Sequence, residues 1–259
     1  MSATGITAHL MVRDEPLTYY AARSVYAFAD HIMLWDTGST DVLTRESIKL
    51  LLAADKRDAC KVSYRSIPIP DERNYDLFNQ TSMRTLRQQT VGKLNKARVR
   101  QMMLAETRTP FFFIVDGDEV YEDYAATVIA NAAQHWPAGK GMGQVTYIRL
   151  ASLKTCWTCA IVGRLFPTAR TRLGSRTPGE RGWTLCNNGR WKELHSGDRA
   201  VGFQIARARY WHFSAALKPW RVKTRPTARL FPLDAPLPSV LREQPKLWAA
   251  CVARMETNA

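Results

Sequence analysis

The chain has 259 residues, of which 46% are hydrophobic and 23% charged. This is ordinary globular usage, and it excludes a disordered tail, a collagen-like chain and a long coiled coil while leaving room for one large α/β domain or two small ones. Thirty-seven Lys and Arg against 23 Asp and Glu give a formal net charge of +14, which suits a polyanion, a phosphorylated ligand or an acidic membrane surface as partner without choosing among them.

Ile6 to Val12 reads as a short apolar strand, followed by the polar turn Arg13-Asp14-Glu15-Pro16. Leu17, Tyr20, Ala21, Ser24, Val25 and Phe28 then recur at helical spacing and predict a helix running to about Ala29 with that stripe buried. A second strand, His31 to Trp35, ends in Asp36-Thr37-Gly38-Ser39-Thr40-Asp41. Gly38 can take a positive φ there, and Ser39, Thr40 or Asp41 can cap the helix that starts near Val42. Strand, helix, strand, helix predicts a parallel sheet with helices packed on it. A third strand is expected over Cys60 to Tyr64, and Ile67-Pro68-Ile69-Pro70 marks a loop. Gln80 to Glu106 is helical in composition, with Leu94, Ala97, Leu104 and Ala105 on one side and Arg87, Lys93, Lys96 and Arg100 elsewhere. Phe111 to Val115 is a continuous apolar run, as expected of a central strand buried on both faces, and it delivers Asp116-Gly117-Asp118-Glu119 at its carboxyl end. In open α/β sheets that end is where ligands bind. A helix over about Tyr124 to His135 and a Gly-rich loop at Gly139 to Gly143 follow, after which periodicity weakens until a final helix over about Ser239 to Met255.

The charge is concentrated in that irregular part. Residues 160–229 hold fifteen Lys and Arg against Glu180, Glu193 and Asp198, a local +12. No secretory signal is visible in Met1 to Gly5, and no apolar stretch approaches the ~20 residues of a transmembrane helix. Five cysteines at irregular spacing argue against a disulfide framework and for a reducing compartment. The expectation is a cytoplasmic protein, peripheral at a membrane surface if its basic half meets acidic lipid. Residues 1–121, 122–230 and 231–259 are expected to form a nucleotide-binding half, an acceptor-side half of the same domain, and a C-terminal extension with a helix.

Asp116 and Asp118, separated by one glycine at the end of a buried strand, form a natural site for magnesium or manganese, whose hard-oxygen preference leaves positions open to phosphate. The plain alternative is a strand-to-helix turn with solvated acids. Asp36 ends one strand and Asp14-Glu15 another, so three strand ends present acids toward one crevice.

With Met11-Val12-Arg13-Asp14-Glu15, the turn at 36–41, Asn95-Lys96-Ala97-Arg98 and the strand ending in Asp116-Gly117-Asp118, residues 6 to 121 resemble the ordered motifs of family 2 glycosyltransferases of the GT-A fold. The resemblance implies a single Rossmann-like α/β domain with a mostly parallel central sheet and a less regular C-terminal acceptor side. It implies a nucleotide-sugar donor and a divalent cation, Mn2+ or Mg2+. Glu15 and Asp36 would line the nucleotide pocket together with Arg98. Asp116 and Asp118 would hold the ribose and the metal-bound diphosphate, and His212 would complete the metal shell. Asp14 stands where that family usually has Asn, and Val99 likewise. No acid follows His195 in Leu194-His195-Ser196, so Glu193 and Asp198 are the nearest candidates for the general base, with Glu180 next.

The resemblance implies a glycosyltransferase, metal-dependent and inverting, that moves a hexosyl-type sugar to an acceptor hydroxyl. The local +12 adds an anionic acceptor or membrane surface as partner. Two other readings stay open. Asp116-Gly117-Asp118-Glu119-Val120 fits the DxDx(T/V) nucleophile motif of haloacid dehalogenase-like phosphatases, and the basic, tryptophan-rich segment could bind nucleic acid, although the three strand-end acids would repel its phosphates. Cys156, Cys159 and Cys186 with His195 could be arranged as a zinc site, the default being ordinary thiols.

Overall fold

The structure, a computed structural model, describes residues 5–69, 96–150, 153, 155–173, 183–187, 190–193, 202–213, 217, 231–232 and 236–257. Helices and strands alternate at first: β1 (Ile6–Val12), α1 (Thr18–Val25), β2 (His31–Asp36), α2 (Val42–Arg57), β3 (Val62–Ser66), α3 (Lys96–Glu106), β4 (Phe111–Asp116), β5 (Glu119–Tyr121) and α4 (Ala125–Gln134). A strand-rich part follows, with β6 (Met142–Leu150), β7 (Thr155–Pro167), β8 (Thr171–Leu173), β9 (Trp183–Asn187), β10 (Arg190–Glu193), β11 (Gly202–His212) and β12 (Phe231–Pro232) before the last helix, α5 (Pro245–Thr257).

The main sheet has the order β3-β2-β1-β4-β7-β6-β11-β5, with β12 paired to β7, and β8, β9 and β10 form a small separate sheet. Four of the seven neighbouring pairs along that path are parallel, including all three of β3-β2-β1-β4. The protein is therefore a mixed α/β domain of Rossmann type, with a mostly parallel sheet. β5 follows β4, in the middle of the strand order, after only Gly117 and Asp118, yet it pairs with β11 at one end of that order. The sheet must curl for this to happen. That curl brings His212, the last residue of β11, into register with Glu119.

Period-two alternation divides the buried residues between the two faces of the sheet. Ile6, Ala8, Leu10 and Val12 of β1, Ile32 and Leu34 of β2 and Phe113 and Val115 of β4 pack in the large core under α1, α2, α4 and α5. Met11, Met33 and Trp35 point to the other face, where Val99 and Met103 of α3 cover them, and Phe112 and Ile114 pack there with Met142 and Phe166. Of the expected α1 stripe, Leu17, Tyr20, Ala21, Val25 and Phe28 are buried, and Ser24 is half-buried. Asp41 is the residue that caps α2, its carboxylate accepting from the Thr44 amide at 2.9 Å.

Several expectations need correction. α1 stops at Val25, well before Ala29, because the Tyr26 and Phe28 amides turn to the Arg23 and Val25 carbonyls. The third strand starts at Val62, two residues late: Cys60 has φ +51°, and the Asp55 carboxylate takes the amides of Lys61 and Val62. Of the helix expected over residues 80–106, the described part is Lys96–Glu106, and its inward residues are Val99, Arg100 and Met103 while Ala105 is exposed. Among the described residues of the second half, β6, β7 and β11 join the main sheet through antiparallel and parallel pairings, and β8, β9 and β10 stand apart from it. The final helix begins at Pro245 after a single 3-10 turn at Ser239–Arg242. No described helix is long and apolar enough to cross a membrane.

One buried polar group lies beneath the α3 face. The His9 ring is stacked on Phe112 with centroids 4.9 Å apart, and its Nε2 is 2.6 Å from the Thr107 hydroxyl. That hydroxyl donates to the Met103 carbonyl, so it accepts from His9 Nε2–H. Burial, with Arg100 and then His31 adding, holds His9 well below its ordinary value of 6.5. The unfolded chain takes up a proton near that value and the native one does not, so stability present above pH 6.5 is lost as pH falls through the window below it. In urea unfolding at pH 7 and pH 5, the stability difference between wild type and His9→Leu should therefore move in favour of the variant at the lower pH. A pH-independent difference would mean that His9 is not held neutral.

Candidate active site

β4 ends in a carboxylate held between two arginines. Arg100 of α3 donates from Nη2 to Asp116 Oδ1 at 2.9 Å and from Nη1 to the His9 carbonyl at 2.9 Å, and its side chain is 1% exposed. Arg164 of β7 approaches from the other side and donates from Nη2 to Asp116 Oδ2 at 3.2 Å. The same nitrogen reaches the Tyr210 hydroxyl at 3.2 Å and makes a short ion pair with Glu119 Oε1. Glu119 in turn accepts the Asp116 amide at 3.2 Å through its second oxygen. Glu119 is fully buried, and desolvation pushes its carboxyl well above the usual range against the pull of Arg164. Arg164 stays charged because Glu119, Tyr210 and Asp116 outweigh the cost of its burial.

Gly117 and Asp118 form the turn between β4 and β5. A Cβ at Gly117 would lie 2.6 Å from Glu15 Cβ and 3.0 Å from Val12 Cγ1, so only glycine lets the end of β1 pack against this turn. Glu15, 8% exposed, is thereby set beside the two acids of the motif. Asp118 is 2% exposed. Its carbonyl accepts the Phe213 amide at 2.9 Å, and its Oδ1 lies 3.5 Å from His212 Nε2. Tyr147 of β6 borders this pair, edge-on to the His212 ring at 6.0 Å.

The turn after β2 is held from within. Asp36, 7% exposed, accepts the amides of Gly38 and Ser39 through Oδ1 at 3.1 and 2.8 Å. Asp14 accepts those of Thr40 and Asp41 through its Oδ1 at 2.7 and 2.8 Å, and the Thr37 amide bonds to the Val12 carbonyl. Asp14 sits at φ +52°, a left-handed conformation that Asp and Asn adopt more readily than other residues with side chains. All five amides from Thr37 to Asp41 are thus occupied. This turn therefore offers a ligand carboxylate oxygen and side chains, not the cradle of free backbone amides that binds phosphate in glycine-rich loops.

The structure brings Glu15, Asp36, Asp116, Asp118 and His212 to the carboxyl ends of β1, β2 and β4 and the adjoining end of β11. Arg98 is exposed on α3, and Arg100, two residues on, is the arginine that faces the site. Each oxygen of Asp116 accepts from an arginine, and Asp118 Oδ1 faces His212. Among the described residues no group of three or more His, Cys, Asp or Glu could by itself hold a metal ion. Glu193 ends β10, in the small sheet. Glu180, His195 and Asp198 lie outside the described residues. Cys156 and Cys159 are on β7 and Cys186 on β9, in different sheets.

The sequence reading missed Arg100, Arg164, Glu119 and Tyr210. Arg100 had been placed on the polar side of its helix, because periodicity scores any arginine as outward. A signal was available for Glu119 and Arg164: each lies among apolar strand residues, and a charge buried there demands a partner.

No protein-family model matches the chain, and no curated protein matches it. Among solved structures, glucosyl-3-phosphoglycerate synthase from Mycobacterium tuberculosis, in complex with Mn2+, UDP and phosphoglyceric acid, is similar at 15% identity and TM-score 0.35, over 55% of this chain and 43% of that one. Residues 1–349 of S. aureus TarS are similar at 10% identity and TM-score 0.36, over 63% of this chain and 47% of that one. The chain thus spans less than half the length of the solved structures it matches.

Replacing Gly117 by alanine is expected to force Glu15 and the turn apart and to cost about 1–3 kcal/mol, the usual penalty for overpacking. Chemical denaturation of Gly117→Ala measures it. Unchanged stability would show that the end of β1 does not rest on this turn.

Proposed function

We propose that this chain is a glycosyltransferase that moves a hexosyl-type sugar from a nucleoside diphosphate sugar to an acceptor hydroxyl, with a divalent cation and inversion at the anomeric carbon. What supports it is the meeting of Asp118 with His212 at the carboxyl ends of parallel strands that also carry Glu15, Asp36 and Asp116. In doubly wound sheets this edge is the nucleotide site, and the motif order of residues 6–121 points to the same chemistry.

Each group has a distinct task. Asp36 keeps Oδ1 on its own turn and has Oδ2 to accept an N–H of the nucleobase. Asp116, immobilised by Arg100 and Arg164 but 23% exposed, accepts from a ribose hydroxyl. Asp118 and His212 fit Mn2+ or Mg2+: they supply one carboxylate oxygen and one imidazole nitrogen, and such ions take their remaining ligands from phosphate and water. When bound, the ion neutralises charge on the leaving diphosphate. Glu15, buried against Gly117, walls the pocket on the nucleotide side. Glu193 or Asp198 takes the acceptor proton as the attacking oxygen displaces the diphosphate, and the basic 160–229 segment receives an anionic acceptor.

A phosphatase using Asp116 as nucleophile is disfavoured by the geometry. A nucleophilic carboxylate needs one oxygen open to phosphorus, and both oxygens of Asp116 face arginines.

Calorimetry with UDP and GDP, with and without Mn2+, tests the proposal. One nucleotide should bind with an affinity that largely vanishes in EDTA, Asp118→Asn should remove the metal-dependent part, and Asp36→Asn should weaken binding by about 1–3 kcal/mol. If neither nucleotide binds, or binding ignores both metal and Asp118, the proposal fails.

A further inference from the structure

The C-terminal helix lies behind both walls of the candidate site. On one side, Trp248 of α5 packs edge-on against Phe213 at 6.0 Å, and the Phe213 amide holds the carbonyl of Asp118. On the other, Arg254 donates from Nη2 to Asp41 Oδ1 at 2.7 Å. The two residues are six positions apart on one helix, a rise of about 9 Å.

Arg254 reaches a crowded point. Asp41 uses Oδ2 to cap Thr44 through its amide and hydroxyl, at 2.9 and 2.7 Å. Asp14 uses Oδ1 to hold the amides of Thr40 and Asp41. Two carboxylates therefore meet at the same turn of backbone, and the Arg254 charge feels both, Asp41 first through its hydrogen bond and Asp14 through space. Arg45 contributes a separate bond from Nη2 to the Thr40 carbonyl at 2.7 Å. Asp14 and Asp41 both act on the backbone that leads back to Asp36.

The helix itself is anchored at its start. The Tyr19 hydroxyl and Arg23 both donate to Glu243 at 2.9 Å, and the Tyr20 hydroxyl donates to the Gln244 carbonyl at 2.6 Å. Trp248 is also edge-on to Tyr20 at 6.0 Å. The last turns therefore present Arg254 from a fixed base, and the interaction is a contact between residues 213 positions apart.

We infer that Arg254 is a positioning residue: from the C-terminal helix it latches the 36–41 turn through Asp41, and so sets the affinity for the donor nucleotide without touching it. This rests on the nucleotide assignment made above for Asp36. It goes further in giving the C-terminal segment a role in donor binding.

The test is a double-mutant cycle of Arg254→Gln and Asp41→Asn, with Arg254→Lys as the conservative control. Asn retains the N-cap of α2 but loses the ion pair. Arg254→Gln should raise the Kd for UDP or GDP, in the presence of Mn2+, by up to about fivefold, the scale of a partly exposed ion pair. The same change should add nothing in the Asp41→Asn background, and Arg254→Lys should restore most of the affinity. The wild-type advantage should shrink between 50 mM and 1 M salt as screening shortens to about 3 Å. Amide hydrogen exchange gives a readout that needs no nucleotide: Arg254→Gln should speed exchange at Thr40 and Asp41 while leaving β1 and β4 protected. If wild type binds neither nucleotide, the glycosyltransferase assignment falls and the latch is judged on exchange alone. Unchanged exchange at Thr40 and Asp41, or additive effects in the cycle, would overturn it.

Discussion

The structure depends on one carboxylate pinned by two arginines. Asp116 ends the central strand, and its oxygens are taken by Arg100 from one side and by Arg164 from the other. Arg100 arrives on the helix that covers β1 and β2, while Arg164 arrives on β7, from the part of the sheet built by the second half of the chain. The ion pairs thus join the two halves at the point where a ligand would enter. Such burial is tolerated only when every charge has a partner, and removing one member of a buried pair commonly costs 3–5 kcal/mol. Here Glu119 and the Tyr210 hydroxyl complete the set around Arg164.

That network also divides labour between the acids. Asp116 is committed to its arginines, and Asp118, one glycine further, is turned toward His212. The division follows from the curl of the sheet. A tight turn separates β4 from β5, yet β5 pairs with β11, so the backbone swings from the centre of the sheet to its far edge within two residues. Gly117 permits the swing because Glu15 and Val12 leave no room for a Cβ. At the end of β2 the opposite arrangement holds: the 36–41 turn has every amide taken by Asp36, Asp14 and Val12.

Much of the first half was legible in the residues. β1 matches the expected Ile6–Val12 run, β4 adds only Asp116 to the expected Phe111–Val115, and α2 starts at Val42 behind an Asp41 cap. These elements carry strong local signals: an apolar run flanked by turns, and a side chain that completes a helix end. What failed was local logic applied to nonlocal partners. The start of β3 depends on an Asp55 carboxylate from the preceding helix, and Arg100 is inward because Asp116 and the His9 carbonyl await it. The partners of β6, β7 and β11 lie far along the chain: β6 and β11 pair in parallel across more than fifty residues, with a register shift between Gln204 and Arg209.

The sequence by itself determined the alternation of strands and helices, the position of the acids at strand ends and the concentration of positive charge beyond residue 160, because each rests on neighbours within a few residues. Only the tertiary structure decided that Asp116 is clamped between two arginines, that Arg100 is one of them, and that a histidine 94 positions beyond Asp118 stands 3.5 Å from it. Those outcomes are set by pairings between distant segments, Arg164 with Asp116 and Glu119, β11 with β5, Arg254 with Asp41. A charge is worth burying only where the fold supplies its counterpart, and that counterpart has no fixed distance along the chain.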